Sequence, residues 1–150
     1  LTGEDIYLKE EFIKLVDERA VDMIHPDLAS SGGILETKKI GDYAEERGIP
    51  MMMHFAGTPV SMMANVHCAA ATQNFIALEH HSVDIPWWED LVTGIDKPIV
   101  QDGHIVVPDK PGLGVELNED VVKEHMKKGT KYFAPTPEWD TIESADRLWS

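Results

Sequence analysis

Short apolar runs alternate with amphipathic stretches through the first 82 residues of the chain. The run 50–55 is apolar except for His54 and gives way to turn-forming residues, a pattern typical of a buried strand. Runs 20–25 and 74–79 predict two further strands. Because α/β proteins place their chemistry at the carboxyl ends of parallel strands, a histidine at such an end is a candidate functional residue, although it is also commonly a hydrogen-bonded core residue.

The stretches between these strands have helical periodicity. Helices are predicted over 7–19, 34–47 and 59–72, the last of them apolar nearly all round. The apolar face of the first consists of Leu8, Phe12, Leu15 and Val16. Residues 28–33 are small and predict a loop that leads into a helix N-terminus, a place that suits anions. This alternation predicts parallel strands covered by helices.

Four ionisable residues follow the first three residues of the chain and the three predicted strands, at spacings of 23, 27 and 25 residues: Glu4, Asp27, His54 and Glu79. Buried parallel strands are otherwise apolar, so four such endings in register predict a shared site. Each also has a structural interpretation. Asp27 could cap a turn, Glu4 could be a solvated turn residue, and Glu79 could pair with a neighbouring cation.

The pattern changes after residue 82. The sequence predicts a loop or short helix at 87–90, a hairpin over 97–107 with Asp102-Gly103 at its turn, and a helix from Asn118 to about Lys128. The organisation expected from these patterns is βα units over 1–82, a return segment with hairpin and helix over 83–129, and an irregular tail over 130–150.

Composition excludes several classes of partner. The chain has 13 Lys+Arg against 27 Asp+Glu and a net charge of −14, which argues against nucleic acid and anionic membrane surfaces. No run is long and apolar enough to cross a bilayer, and the N-terminal residues have no signal-peptide pattern. The single cysteine, Cys68, is predicted to be a small core residue. We therefore expect a cytoplasmic protein.

Several segments of this chain, taken together, resemble a known family. They are Pro26-Asp27 with Gly33–Ile40 after it, His54, Asn74–Glu79, Asp102–Ile105 and Pro108–Val115. In combination they are similar to the C-terminal part of the enolase superfamily, and most similar to the mandelate racemase/muconate lactonizing enzyme family. Within that family they resemble the mandelate racemase subgroup, which includes many sugar-acid dehydratases. The resemblance covers roughly residues 1–127.

The resemblance implies an α/β fold, the C-terminal part of a (β/α)8 (TIM-type) barrel, with about three parallel βα units and a C-terminal hairpin and helix extension. A closed barrel needs eight strands and typically about 250 residues. We therefore expect the chain to be a C-terminal fragment that is inactive alone. Its expected partners are the missing N-terminal barrel half and capping domain, and further copies of itself in a homo-oligomer.

The resemblance also implies a bound Mg²⁺ and abstraction of the proton α to a substrate carboxylate. Position by position, Glu4 matches a metal-ligand carboxylate and Asp27 the acid that orients the base. His54 matches the base, and Glu79 matches an acid that, if protonated, donates a hydrogen bond to the substrate carboxylate. One Glu cannot hold Mg²⁺ alone, so further ligands are expected outside this chain.

Substrate contacts are expected from the loops at the strand ends, by position alone: Ser30, Ser31 and Gly57. The function implied is an acid-sugar dehydratase of the aldonate or galactonate type, with a small carboxylate or acid-sugar substrate.

Three alternatives stay open at the sequence level. The first is a racemase, epimerase or cycloisomerase of the same superfamily. The second is a catalytically inert α/β assembly piece. The third is an unrelated doubly wound protein that binds an anion at 30–33 and keeps Asp27 and His54 apart.

Overall fold

The computed structural model describes residues 1–132 and 137. The chain divides into two units, Leu1–Asn118 and Glu119–Ser150. In chain order the first unit contains α1 (Leu8–Asp17), α2 (Leu28–Ser31), α3 (Gly33–Glu45), β1 (Met51–Met53), α4 (Pro59–Ala70), β2 (Phe75–Leu78), a 3₁₀ turn (Trp88–Leu91), β3 (Val92–Thr93) and β4 (Glu116–Leu117).

Parallel backbone pairing runs across the first unit in the order that the sequence predicts. Thr2 pairs with Ile24, Ile24 pairs with Met51, and β1 pairs with β2, all in parallel. Gly3 allows the first of these segments to lie close to its neighbours, because a Cβ at this position would fall 2.8 Å from the Phe12 ring. The carboxyl ends of all four segments therefore lie along one edge.

The predicted strand 20–25 is reduced to isolated pairings at Ile24 and Asp27. Ile24 N–H donates to the carbonyl oxygen of residue 50, and Met52 N–H donates to the Ile24 carbonyl, at 3.1 and 3.0 Å. Pro26 has no N–H to continue this ladder. Its carbonyl still accepts from His54 N–H at 3.0 Å, so the strands stay in register past the interruption.

The helices bury the faces that their periodicity predicts. Phe12 and Val16 of α1 and Ile40 of α3 are at most 1% exposed, and the predicted core residue Cys68 of α4 is fully buried. Leu8 is an exception to the predicted stripe. It starts α1 with a positive φ of 61° and is 52% exposed.

The loop predicted over 28–33 is instead a short helix followed by two glycines. The Asp27 side chain accepts hydrogen bonds from Ala29 N–H and Ser30 N–H, which caps α2. Capping by a side chain outside the predicted loop explains why serines that favour loops lie in a helical turn here.

The hairpin predicted over 97–107 is wrong beyond its turn. Gln101 and His104 exchange backbone hydrogen bonds around Asp102-Gly103, but the described pairing stops there. The N–H of Ile99 donates to Glu89 Oε1 at 2.7 Å and does not continue a ladder. The antiparallel pair in this part of the unit is β3 with β4.

The second unit contains α5 (Glu119–Glu124), which is shorter than the helix predicted to about Lys128. Of the irregular tail predicted over 130–150, only residues 130–132 and 137 are described, so that prediction lies mostly outside the described residues. Within the described part of the chain, no helix combines the length and the apolarity needed to cross a lipid bilayer.

Candidate active site

The four residues that end the parallel segments lie together, and His54 is at their centre. Its Nδ1 is 2.7 Å from Asp27 Oδ2, and its Nε2 is 3.0 Å from Glu4 Oε2 and 3.7 Å from Glu79 Oε2. The distance between Asp27 and His54 contradicts the doubly wound alternative, which keeps these residues apart. The shared strand edge thus gathers three carboxyl groups around one imidazole.

The Asp27 carboxylate contacts both the backbone of α2 and the ring of His54. Its Oδ1 caps α2, while its Oδ2 faces His54 Nδ1, and the two side chains are 17% and 15% exposed. Because a carboxylate can only accept, the Nδ1 atom holds a proton. When the ring is neutral, its Nε2 is therefore the unprotonated nitrogen, and this atom lies 3.0 Å from Oε2 of the half-exposed Glu4.

Glu4 and Glu79 approach Nε2 from different environments. The Glu4 side chain is 54% exposed, whereas that of Glu79 is 30% exposed. Glu79 also lies against two further histidines, with Oε1 2.7 Å from His81 Nε2 and Oε2 3.0 Å from His25 Nε2. One carboxyl is thus shared by three imidazoles.

This environment lowers the pKa of Glu79. Burial by itself raises the pKa of this carboxyl, but the hydrogen bond from His81 and the charges of His81, His25 and His54 outweigh it and hold the pKa below its usual value. The arrangement described here favours the carboxylate form of Glu79. The role that requires a protonated Glu79, as donor of a hydrogen bond to the substrate carboxylate, stays a prediction.

His25 is a residue of the site that the sequence patterns did not single out. It is 8% exposed, its Nδ1 lies 2.9 Å from the Met52 carbonyl oxygen, and its ring meets the His54 ring edge-on with centroids 5.3 Å apart. His81, three residues after the end of β2, also belongs to the cluster. The available signal was a histidine directly before Pro26-Asp27, at the end of a strand.

The three predicted substrate contacts have different environments. The Ser30 hydroxyl lies 3.3 Å from the Glu4 carbonyl oxygen, beside the site. Ser31 is fully buried and its hydroxyl is hydrogen-bonded to Thr37 at 2.8 Å, which leaves it no access to a ligand and contradicts its prediction. The Gly57 carbonyl accepts from Ser82 Oγ and Trp88 Nε1, so it anchors the loop after β2.

Two sets of groups in the site could contact a metal ion. His54, Glu79 and His81 offer ligand atoms within 4.8 Å of one another, but two imidazoles with one carboxylate suit a transition metal better than Mg²⁺. Hydrogen bonds within the cluster already account for their closeness. The exposed Glu4 carboxylate is a hard oxygen ligand, so it fits Mg²⁺ as one ligand among several.

Comparison with known proteins gives one family and consistent relatives. Residues 1–121 of this chain match the family described as Enolase C-terminal domain-like. The chain is 45% identical over 131 residues to D-xylonate dehydratase of Haloferax volcanii, covering 87% of this chain and 31% of that protein. It is 35% identical to arabinonate dehydratase of Saccharolobus solfataricus, covering 83% and 33%.

Solved structures agree with these sequence matches. A mandelate racemase/muconate lactonizing enzyme-like protein from Rubrobacter xylanophilus superposes with a TM-score of 0.84 at 41% identity. The match covers 89% of this chain and 34% of that one. The chain thus spans about a third of the length of the relatives it matches.

Proposed function

Because this chain belongs to the Enolase C-terminal domain-like family, we propose that the complete protein is an acid-sugar dehydratase. Membership confirms the predicted fold, which is derived from an α/β barrel and of which this chain covers a part. The two sequence relatives reported above are named dehydratases, which favours dehydration over racemisation or cycloisomerisation. The observation that carries the proposal is the 2.7 Å contact between Asp27 Oδ2 and His54 Nδ1.

The proposed mechanism starts with His54. The Asp27 carboxylate accepts the Nδ1–H, which leaves the Nε2 lone pair free to take the proton α to the substrate carboxylate. Asp27 then stabilises the imidazolium that forms. The C–H bond breaks, its electron pair moves into the substrate as an enediolate, and the proton bonds to Nε2.

The second half of the reaction returns that proton. Collapse of the enediolate expels the β-hydroxyl, and the imidazolium of His54 protonates the departing oxygen so that it leaves as water. The resulting enol takes up a proton at carbon to give a keto acid. This use of one histidine for both steps requires the β-hydroxyl to lie on the same side of the substrate as the α-proton.

One residue of the site has the chemistry to bind a divalent cation. Glu4 would be a ligand to Mg²⁺, with further oxygen ligands from outside this chain. When bound, Mg²⁺ neutralises the charge that develops on the substrate carboxylate as the α-proton leaves. Ser30 and Gly57 are proposed to line the substrate position. Ser31 is excluded from this position because its side chain is buried.

The chain is further proposed to work with the rest of a barrel. Within the described residues β2 pairs with β1 on one side, and Ile76 of β2 is 57% exposed. An N-terminal barrel half that supplies the next parallel strand would pair this edge, and a capping domain would close the site. A homo-oligomer of the complete protein is also proposed.

The proposal is tested by hydrogen exchange in the full-length protein. A set of acid sugars is incubated with Mg²⁺ in deuterated water, and both keto-acid formation and α-deuterium incorporation are measured. Wild-type protein should form a keto acid, and His54→Asn should lose exchange by about 10²–10⁴-fold while remaining folded. His104→Gln, at an exposed turn, is the control.

Three outcomes would contradict the proposal. Exchange that survives in His54→Asn removes the proposed base, and deuterated substrate without keto acid indicates a racemase. The absence of any reaction in the wild type supports the inert alternative.

A further inference from the structure

The imidazole of His25 lies between two oxygen atoms, and each of its ring nitrogens contacts one of them. Its Nδ1 is 2.9 Å from the Met52 carbonyl oxygen, and its Nε2 is 3.0 Å from Glu79 Oε2. The side chain is 10% exposed, so these contacts are made away from bulk water. The proposed dehydration steps use no group of His25.

The backbone explains why the Met52 carbonyl is available. In the parallel ladder the donor for this oxygen would be the N–H of residue 26, since Met52 N–H donates to Ile24 and His54 N–H donates to Pro26. Residue 26 is a proline and has no N–H. A buried carbonyl left without a donor costs free energy, and the His25 ring supplies the missing hydrogen bond.

This contact fixes the tautomer of His25. A carbonyl oxygen can only accept, so Nδ1 is protonated. The Nε2 atom then faces Glu79 Oε2 in one of two states. Either Nε2 is protonated and donates to a carboxylate, or Nε2 is bare and accepts from a carboxylic acid. In both states a single proton lies between the two residues.

The surrounding groups select the first state in the free site. Glu79 also contacts His81 at 2.7 Å and His54 at 3.7 Å, and both rings favour a carboxylate there. The other ionisable groups near this pair, Glu4 and Asp27, are directed at His54. With Glu79 as a carboxylate, which can only accept, the 3.0 Å contact requires Nε2 of His25 to be the donor.

We infer that His25 stores the proton that Glu79 uses to bind the carboxylate of the substrate, an inference that rests on the proposed function. An anionic substrate beside the Glu79 carboxylate is unfavourable until that carboxylate is neutralised. The Nε2–H bond of His25 breaks with its electron pair left on nitrogen, and the proton bonds to Glu79 Oε2. The resulting O–H donates to the substrate, and the proton returns to Nε2 when product leaves. His25 does not touch the substrate, so it is a positioning residue.

The first test reads the ring directly and does not require activity. Full-length protein with ¹⁵N-labelled histidine is studied by magic-angle-spinning NMR, with the His25 signals identified by their loss in His25→Gln. We expect both ring nitrogens of His25 to be protonated at neutral pH in the wild type. In Glu79→Gln, which keeps the size of the partner, we expect a neutral ring with its proton on Nδ1. A wild-type ring protonated on Nε2 alone, or a ring unaffected by Glu79→Gln, overturns the inference.

The second test separates proton storage from packing. The amide of His25→Gln can donate to the Met52 carbonyl and can accept from a protonated Glu79, but it cannot release a proton. We expect kcat/KM to fall about 10–100-fold at pH 8, the loss typical of a group that orients another. The ratio of kcat/KM in the variant to kcat/KM in the wild type should rise toward one as pH is lowered, because solvent can then protonate Glu79. A ratio that is constant across pH indicates a purely structural role.

His67→Gln is the matched control, since its ring also contacts a backbone carbonyl, that of Leu113, at 3.2 Å, and lies outside the cluster. This variant should change neither the protonation of the His25 ring nor the pH dependence of kcat/KM. If the wild type acts on no acid sugar, the proposed function fails while the ring measurement still decides the state of His25. If the wild type is active and the ring is neutral, the proposed function stands and this inference fails.

Discussion

Asp27 and His54 are connected twice, once through their backbones and once through their side chains. The two residues form a parallel β-pairing, and Asp27 Oδ2 lies 2.7 Å from His54 Nδ1. Because the backbone pairing sets the separation of the two Cα atoms, the side-chain contact costs little additional order. The orientation of the imidazole is therefore a property of the strand register and does not depend on a mobile loop.

Asp27 variants should separate the cap of α2 from the orientation of His54. Asp27→Asn keeps an oxygen for the cap but places an amide N–H opposite Nδ1, which forces the ring proton onto Nε2. We expect a loss of α-proton exchange of about 10³–10⁴-fold with little loss of stability. Asp27→Ala should lose exchange and also about 1 kcal/mol of unfolding free energy. Exchange assays and denaturant unfolding measure the two effects.

The control for these variants is Thr58→Ala, which removes the Thr58 side-chain cap of α4 without touching the histidine. It should lower stability and leave exchange unchanged. Wild-type exchange in Asp27→Asn would show that the tautomer of His54 is set by another group.

Glu4→Gln should weaken binding of Mg²⁺ to the full-length protein. We expect the loss to exceed about 100-fold, the upper end of the effect of groups that only orient a ligand. Stability should change by less than about 0.5 kcal/mol because Glu4 is half exposed. Titration calorimetry measures the affinity, and Asp5→Asn, the neighbouring exposed carboxyl, is the control. Unchanged affinity would assign the Mg²⁺ site to other residues.

His80 should make stability depend on pH. Burial lowers the pKa of His80, and the charge of His81 lowers it further, while that of Glu89 opposes this. The unfolded chain takes up the proton near pH 6.5, earlier than the folded one, as pH falls. The free energy of unfolding should therefore decrease as pH falls through about 6.5, and this loss should be complete below the folded-state pKa.

The measurement for His80 is the pH dependence of denaturant unfolding between pH 8 and 5. In His80→Phe this dependence should become shallower, since phenylalanine can keep the contacts with the Phe55 and Trp88 rings, now at 6.0 and 4.8 Å. His104→Gln should leave the dependence unchanged. An equal dependence in His80→Phe and wild type would show that His80 contributes none of it.

The isolated 150-residue chain should self-associate. Ile76, Val83 and Val106 are 57%, 78% and 74% exposed, and they lie on β2 and on the segments that follow it. Ile76→Lys should weaken association by about tenfold or more, since burying an isoleucine contributes about 1.5–3 kcal/mol. Sedimentation velocity over a range of concentrations measures this. Leu35→Lys, at an apolar position of α3 that is 69% exposed, should have no effect. A wild-type chain that is monomeric at every concentration contradicts the prediction.

The order of the elements and the convergence of the site could be predicted because both depend on local patterns. The helices over 8–17 and 33–45 have apolar periodicity, and the helix over 59–70 is apolar nearly all round. Parallel strands place their carboxyl ends at one edge, so strand-end residues such as Asp27 and His54 meet whatever the details of the sheet. The carboxylate-to-imidazole contact follows from topology.

The contacts that were missed depend on hydrogen bonds between distant residues. His25 looked like the last residue of an apolar strand, and its environment follows from an N–H that Pro26 lacks and a carbonyl on another strand. The hairpin at 97–107 had the correct turn, but the N–H of Ile99 is taken by Glu89. The protonation of Glu79 depends on histidines 54 positions before it and two after it.

The groups of this chain that are proposed to bind Mg²⁺ or to hold or move protons come from one continuous stretch, from Glu4 to Glu79, and four adjacent strand ends carry them. Such a stretch can be exchanged as a cassette between homologous enzymes without dividing its acid–base chemistry. In a chimera that combines it with another N-terminal half, the type of reaction should follow this cassette, while the choice among acid sugars should follow the other parent.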